Sequence, residues 1–422
     1  MTRSGVVGLS LPSPGAEALA HSAQLAALIG VQIRAGGGWI SFAEYMRLAL
    51  YAPGLGYYSA GAAKFGGAGD FVTAPLLSPL FSRVVARRLG AWLAATGTTE
   101  LLEFGPGTGR FAADALPILG AASPLRRYRL LEVSADLRAR QQQLLQGAVR
   151  ELEWLDRLPD GFAGVVFANE ILDALPCERF TVHDGEWWRL GVGLSTDGGF
   201  EWRKRPPDGA CADDPAFVIA AAHRRTQLAA RGVELPEGCC GEWQAGLDGW
   251  FAALAASLHR GVVLLADYGL PRRQLLHPDR MQGSLRCHYR HHAHGDPFFL
   301  PGLGDITAWV DFTAVAEAAV QAGFQVAGFT TQTAFLLAAG IEDELRRAAD
   351  PLDATDPRDP TAPLDSTDPR YLALARGVQR LLLPGEMGEA VKFMLLTRRP
   401  DDLPAGGDAA FGLRDLLGSL QG

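Results

Sequence analysis

Four short apolar runs constrain this chain more than anything else in it: TELLEFG (99–105), YRLLEVS (128–134), GVVFANE (164–170) and GVVLLADYG (261–269). Each is almost continuously hydrophobic and stops at a glycine or a polar residue. A strand covered on both faces reads this way, whereas a half-exposed strand alternates. Helix-patterned stretches such as 136–146 lie between the runs, so the pattern builds βαβ units around a parallel sheet. A last run, VKFMLLTRR (391–399), returns to that sheet.

From about Ala16 to Leu93 the apolar spacing is helical, and Ser41 with Glu44 three residues on makes a helix start. A glycine-rich stretch, 51–75, interrupts these helices. The segment RFTVHDGEWWRLGVGLSTDGGFEWRKRP (179–206) alternates and turns at HDG and TDGG, which predicts an inserted β-meander. The Asp/Pro/Thr-rich stretch 350–370 reads as an exposed loop.

The expected division is a helical and glycine-loop cap (1–98) and a core domain in two halves (99–175 and 255–334). A β-rich partner subdomain (176–254) separates the halves. A helical insertion (335–389) and a final strand with tail (390–422) follow.

With 422 residues, 48% of them hydrophobic and 20% charged, the chain has ample material for a large core. A net charge of −8 argues against a nucleic-acid surface. The five cysteines (Cys177, Cys211, Cys239, Cys240 and Cys287) form no CxxC pair, which suits a reducing compartment. No apolar run reaches the ~18 residues of a membrane span, and no secretory leader is visible, so a cytoplasmic location is expected.

The turn after the first run, LLEFGPGTGRF (101–111), carries Gly105, Gly107 and Gly109. A dinucleotide fingerprint needs a third glycine where Arg110 stands, and a P-loop needs a lysine that is absent nearby. What remains is a backbone able to approach a compact ligand at a strand's carboxyl end. Glu132 ends the next run, where an acid can accept from ribose hydroxyls. This combination suits S-adenosylmethionine, although a merely tight turn explains the glycines equally well. ANEILDALP (168–176) puts Asn169, Glu170 and, a helical turn later, Asp173 at a strand end. Asn169 as a helix N-cap is the bland alternative.

Nine blocks in order give these motifs a family. They include SFAEYMRLALYAPGLGYYS, GDFVTAPLLSPLF, LLEFGPGTGRF, ANEILDALPCERF and GDITAWVDFTAV, and the chain resembles the MidA-like methyltransferases over nearly its whole length. The resemblance implies a Rossmann-like, seven-stranded class I methyltransferase sheet that uses S-adenosyl-L-methionine and methylates arginine on a protein. The expected fold is therefore α/β: that sheet with an N-terminal helical region, an inserted β-meander and a C-terminal helical insertion.

By the same resemblance, Glu103, Gly105, Pro106, Gly107, Gly109, Glu132, Val133 and Ser134 bind the cofactor. Asp70, Phe71 and Thr73 close over it. Asn169 touches the cofactor and, with Glu170 and Asp173, faces the reacting center. The family usually has Glu after the proline of the GDFxTxP block; this chain has Leu76.

The implied partner is a protein substrate of the respiratory complex I type, with a homodimer as an open option and neither nucleic acid nor membrane insertion expected. A cofactor-binding assembly chaperone without turnover and a small-molecule methyltransferase stay open as alternatives. The histidine-rich CHYRHHAHGD (287–296) matches no metal-ligand spacing, and no metal is expected.

Overall fold

The computed structural model describes residues 11–60, 73–147, 151–207, 214–349, 368–399, 411–412 and 414–421. Its central sheet contains β1 (Glu100–Phe104), β2 (Arg127–Leu131), β3 (Glu151–Leu155), β4 (Phe162–Asn169), β5 (Leu258–Leu270), β6 (Gln325–Thr331) and β7 (Val391–Arg398). Their spatial order is β6-β7-β5-β4-β1-β2-β3. All run parallel except β7, which is antiparallel to both β5 and β6. An eighth, two-residue strand, Val310–Asp311, pairs with the end of β5, an addition that the sequence pattern is too short to announce.

The apolar runs are continuous because each strand feeds two cores. Val165 and Phe167 of β4, with Val262 and Leu264 of β5, pack under the helices Pro79–Thr96 and Arg110–Ala122. Their sequence neighbours Val166, Ala168, Val263 and Leu265 pack under Leu247–Ser257 and Phe312–Gln321. Period-2 alternation thus fills both faces, each fully buried large side chain contributing about 2 kcal/mol.

The strand order reverses between β1 and β4, whose partner strands lie on opposite sides. In open α/β sheets, ligands bind outside the strands' carboxyl ends at such a switch point. The end of β1 there is the glycine turn.

The meander forms as expected, with Cys177–His183, Glu186–Leu194 and Phe200–Arg205 antiparallel in succession. It also recruits Ile40–Ser41 from the N-terminal region and Cys240–Gln244 into one five-stranded sheet. A small sheet of Arg286–Tyr289, His292–His294 and Asp305–Thr307 lies beyond. Ser41 accepts from the Glu44 amide at 3.1 Å, the helix start read from the sequence. No helix among the described residues is long and apolar enough to cross a membrane.

Candidate active site

A cavity of about 400 Å³ opens at the switch point, a size suited to a compact cofactor. Gly105 and Gly107, with φ of +53° and +54°, bring backbone to its floor in a conformation that side chains disfavour. A Cβ on Gly105 would lie 2.3 Å from Ile171 Cδ1, whereas one on Gly107 would meet nothing within 4 Å. Gly109 caps the helix Arg110–Ala122 from behind, and its missing side chain makes room for Gln141. Pro106 and Arg110 line the cavity, Arg110 also pairing with Asp114 at 2.8 Å.

Glu132, one residue past β2, forms the next wall. Its Oε1 accepts from the Ser134 amide at 2.8 Å and its Oε2 from Gln141 Nε2 at 3.0 Å. Gln141 Nε2 also donates to Gly107 O at 2.7 Å, and its Oε1 accepts from Trp154 Nε1 at 3.0 Å. One fully buried amide therefore ties the glycine turn to the acid. Ser134 caps the helix Ala135–Leu144, and Val133 lies exposed along the wall. Glu103 is buried beneath, its carboxyl pushed up to about 8 by burial and accepting from Tyr128 OH at 2.7 Å.

This lining fits S-adenosyl-L-methionine. Gly107 leaves open space where a side chain would project, and Glu132 keeps acceptor capacity beyond its two bonds. Thr73 lines the opposite wall, while Asp70 and Phe71 lie outside the described residues. Leu76, 46% exposed, also faces the cavity.

The carboxyl ends of β4 and β5 gather acids. Glu170 takes a left-handed φ of +54°, costly for a residue with a side chain and typical of functional positions. That conformation stops the chain from entering a helix. Residues 171–175 turn instead, so neither a helix carrying Asp173 nor an Asn169 N-cap forms. The turn still brings Asn169, Glu170 and Asp173 to the cavity.

Glu170 Oε1 accepts from Asn169 Nδ2 at 3.2 Å and from the Ala74 amide at 3.3 Å. Its Oε2 is sealed from solvent with no hydrogen-bond partner among the described residues. Asp267 Oδ2 accepts from the Ile171 and Leu172 amides at 3.0 and 2.7 Å, holding the turn.

Burial, then Asp267, pushes the Glu170 carboxyl up to about 8; burial pushes Asp267 up to about 7. Asp173, 6% exposed, is raised well above its usual range by burial and by Asp267, Glu170 and Asp305. Among the described residues no arginine or lysine pairs with Glu170, Asp173 or Asp267. Such uncompensated burial is expensive unless a cation arrives.

Three participants escape sequence reading: Asp305, Tyr51 and Gln141. Asp305, from the small sheet, accepts from Tyr58 OH at 2.9 Å, and Tyr51 OH donates to Ala174 O at 2.9 Å. Both tyrosines come from the N-terminal region, and only tertiary packing brings them to the acids.

The family model described as "Putative S-adenosyl-L-methionine-dependent methyltransferase" matches residues 84–330. A zebrafish (Danio rerio) relative, "Protein arginine methyltransferase NDUFAF7, mitochondrial", is 28% identical across 84% of this chain and 83% of its own. The Drosophila melanogaster homolog is 28% identical over 68% of each chain. A solved structure from Burkholderia thailandensis is 40% identical, with a TM-score of 0.85 over 97% of this chain and 100% of that one. It is described as a "likely methyl transferase" and is bound to S-adenosyl-homocysteine. The cofactor is therefore S-adenosyl-L-methionine, and the chain belongs to the MidA-like family of S-adenosyl-L-methionine-dependent methyltransferases.

Proposed function

We propose that this protein methylates arginine on a protein substrate, a respiratory complex I subunit by family resemblance. The observation that carries this reading is the acidic wall with no arginine or lysine paired to it among the described residues, above all Glu170, whose Oε2 has no partner among them. A guanidinium is always protonated and offers a planar fork of donors. Seated between Glu170 and Asp173, it supplies the missing positive charge and draws both carboxyls into their ionised forms.

The cofactor, held by Gly105, Gly107 and Glu132, supplies an electrophilic methyl on a sulfonium. Asp173 and Glu170 orient one guanidinium nitrogen toward that methyl, and alignment of this kind accounts for much of a displacement's acceleration. The guanidinium nitrogen would gain one N–C bond as the sulfonium S–C bond breaks and S-adenosylhomocysteine leaves, and its N–H proton would pass to Glu170 Oε2. Tyr58 and Tyr51 fix the acidic wall from the far side.

Leu76 favours a second reading, a chaperone that binds the cofactor without turnover. Labelled methyl transfer into a lysate, followed by mass spectrometry of the labelled residue, separates the two. Methylarginine on a protein supports the proposal; cofactor binding without transfer selects the chaperone, and a labelled small molecule refutes both.

A further inference from the structure

A second cavity, of about 640 Å³, lies behind the acidic wall, and Asp173 and Thr307 line both chambers. Its character is opposite to that of the wall. Arg280, Arg286, Lys392 and Arg414 all face it. Lys392 is 3% exposed; burial pulls its ammonium down to about 8, with Glu389 opposing and Arg414 and Arg280 pushing the same way.

Among the described residues, three of the four meet backbone or ring groups, and the fourth, Arg414, is exposed. The Lys392 ammonium donates to Glu389 O, Arg286 Nη1 donates to Leu285 O at 3.3 Å, and the Arg280 guanidinium lies 5.0 Å from the Trp309 ring center. No carboxylate among the described residues makes an ion pair with any of the four. Glu386 and Glu389 also line the chamber, and Glu386 faces Arg380 at 3.7 Å. Arg280, Arg286, Lys392 and Arg414 outnumber the carboxyls of Asp173, Glu386 and Glu389 on this cavity, and cations converging there with Lys392 nearly buried mark a site for an anionic ligand.

We infer that this second cavity receives the acidic residues flanking the target arginine, whose guanidinium reaches the acid wall past Asp173 and Thr307. The inference rests on the arginine reading above and adds a substrate rule: arginines with Asp or Glu neighbours are preferred. Charge complementarity then works twice, cation to the carboxyl wall and anions to the arginine chamber. Neutral or basic flanks leave Lys392 and the arginines unpartnered, and basic flanks are repelled outright.

Fluorescence anisotropy with the full chain and S-adenosylhomocysteine tests this without turnover. The probes are short peptides holding one arginine between Glu, Gln or Lys neighbours, plus the Glu-flanked peptide with alanine in place of arginine. Glu flanks should bind at least about tenfold tighter than Gln flanks. The double variant Arg280→Glu/Arg286→Glu should abolish that preference and favour Lys flanks. Arg286 is exposed and Arg280 half-buried, and an unchanged melting temperature confirms that the variant is folded.

Equal binding of the three flanks overturns the inference, as does a preference that survives the double variant. Displacement by tripolyphosphate without any discrimination among peptides also overturns it, pointing to a phosphate ligand. The alanine peptide separates the two claims. If it binds as tightly as its arginine parent while the Glu preference among the arginine peptides holds, the arginine reading fails and the anion chamber stands.

Discussion

Gln141 donates from its side-chain amide to the carbonyl of Gly107 at 2.7 Å, fastening the glycine turn to the helix after β2. The same amide holds Glu132 and accepts from Trp154, so removing it strands three polar groups. Each such loss costs roughly 1–3 kcal/mol when the group is buried. Gln141→Ala should weaken S-adenosylhomocysteine binding by at least about tenfold in isothermal titration. Affinity equal to wild type would show that the turn holds itself.

The two glycines on the cavity floor should fail differently. Gly105→Ala brings a methyl to 2.3 Å from the terminal Cδ1 of Ile171, so that side chain must turn, and with the strain of the positive φ the variant should show a lower melting temperature. Gly107→Ala meets no protein atom and keeps only the strain of its positive φ, about 1–2 kcal/mol. Its larger effect should be on cofactor affinity. Similar losses of stability and affinity in both variants would contradict this division.

The acidic wall gives a pH dependence with a definite sign. Glu170 and Asp267 sit near 8 and 7 in the folded protein, against ordinary values of 4.5 and 3.8. The folded state therefore binds more protons than the unfolded chain from about pH 4 to 8, and stability falls as pH rises through that window. Glu170→Gln mimics the protonated acid. Its melting temperature relative to wild type should climb between pH 5 and 8.5 in the ligand-free protein. A difference independent of pH would mean that Glu170 is ionised throughout.

Away from the site, Arg272 Nε donates to Asp311 Oδ2 at 2.7 Å with both side chains almost fully buried. Asp311 also caps its helix through the Ala314 amide at 3.1 Å. Asp311→Ala leaves an arginine buried without its main partner and should cost about 3–5 kcal/mol in denaturant unfolding. A loss under ~1 kcal/mol would mean that Glu317 alone satisfies Arg272.

The sheet was legible because buried parallel strands need continuous apolar runs, and β1, β2, β4, β5 and β7 all announce themselves this way. The glycine turn and Glu132 were legible for a similar reason: strand ends are marked by sharp changes in residue type. The segment after Asn169 misled because its composition suits a helix, while Glu170's left-handed backbone is set by contacts with Ala74 and Ala266 far along the chain. Asp305, Tyr51 and Gln141 carried no local signal at all. Their roles exist only once the N-terminal helices, the small sheet and the helix after β2 converge on one cavity.

The most direct test of the central claim is transfer of labelled methyl to a protein acceptor by wild type and Glu170→Gln, followed by hydrolysis and amino-acid analysis. The account predicts label in methylarginine, with the rate falling at least about a hundredfold in Glu170→Gln while cofactor affinity holds. Label on another residue type, or an unchanged rate in the variant, would contradict it.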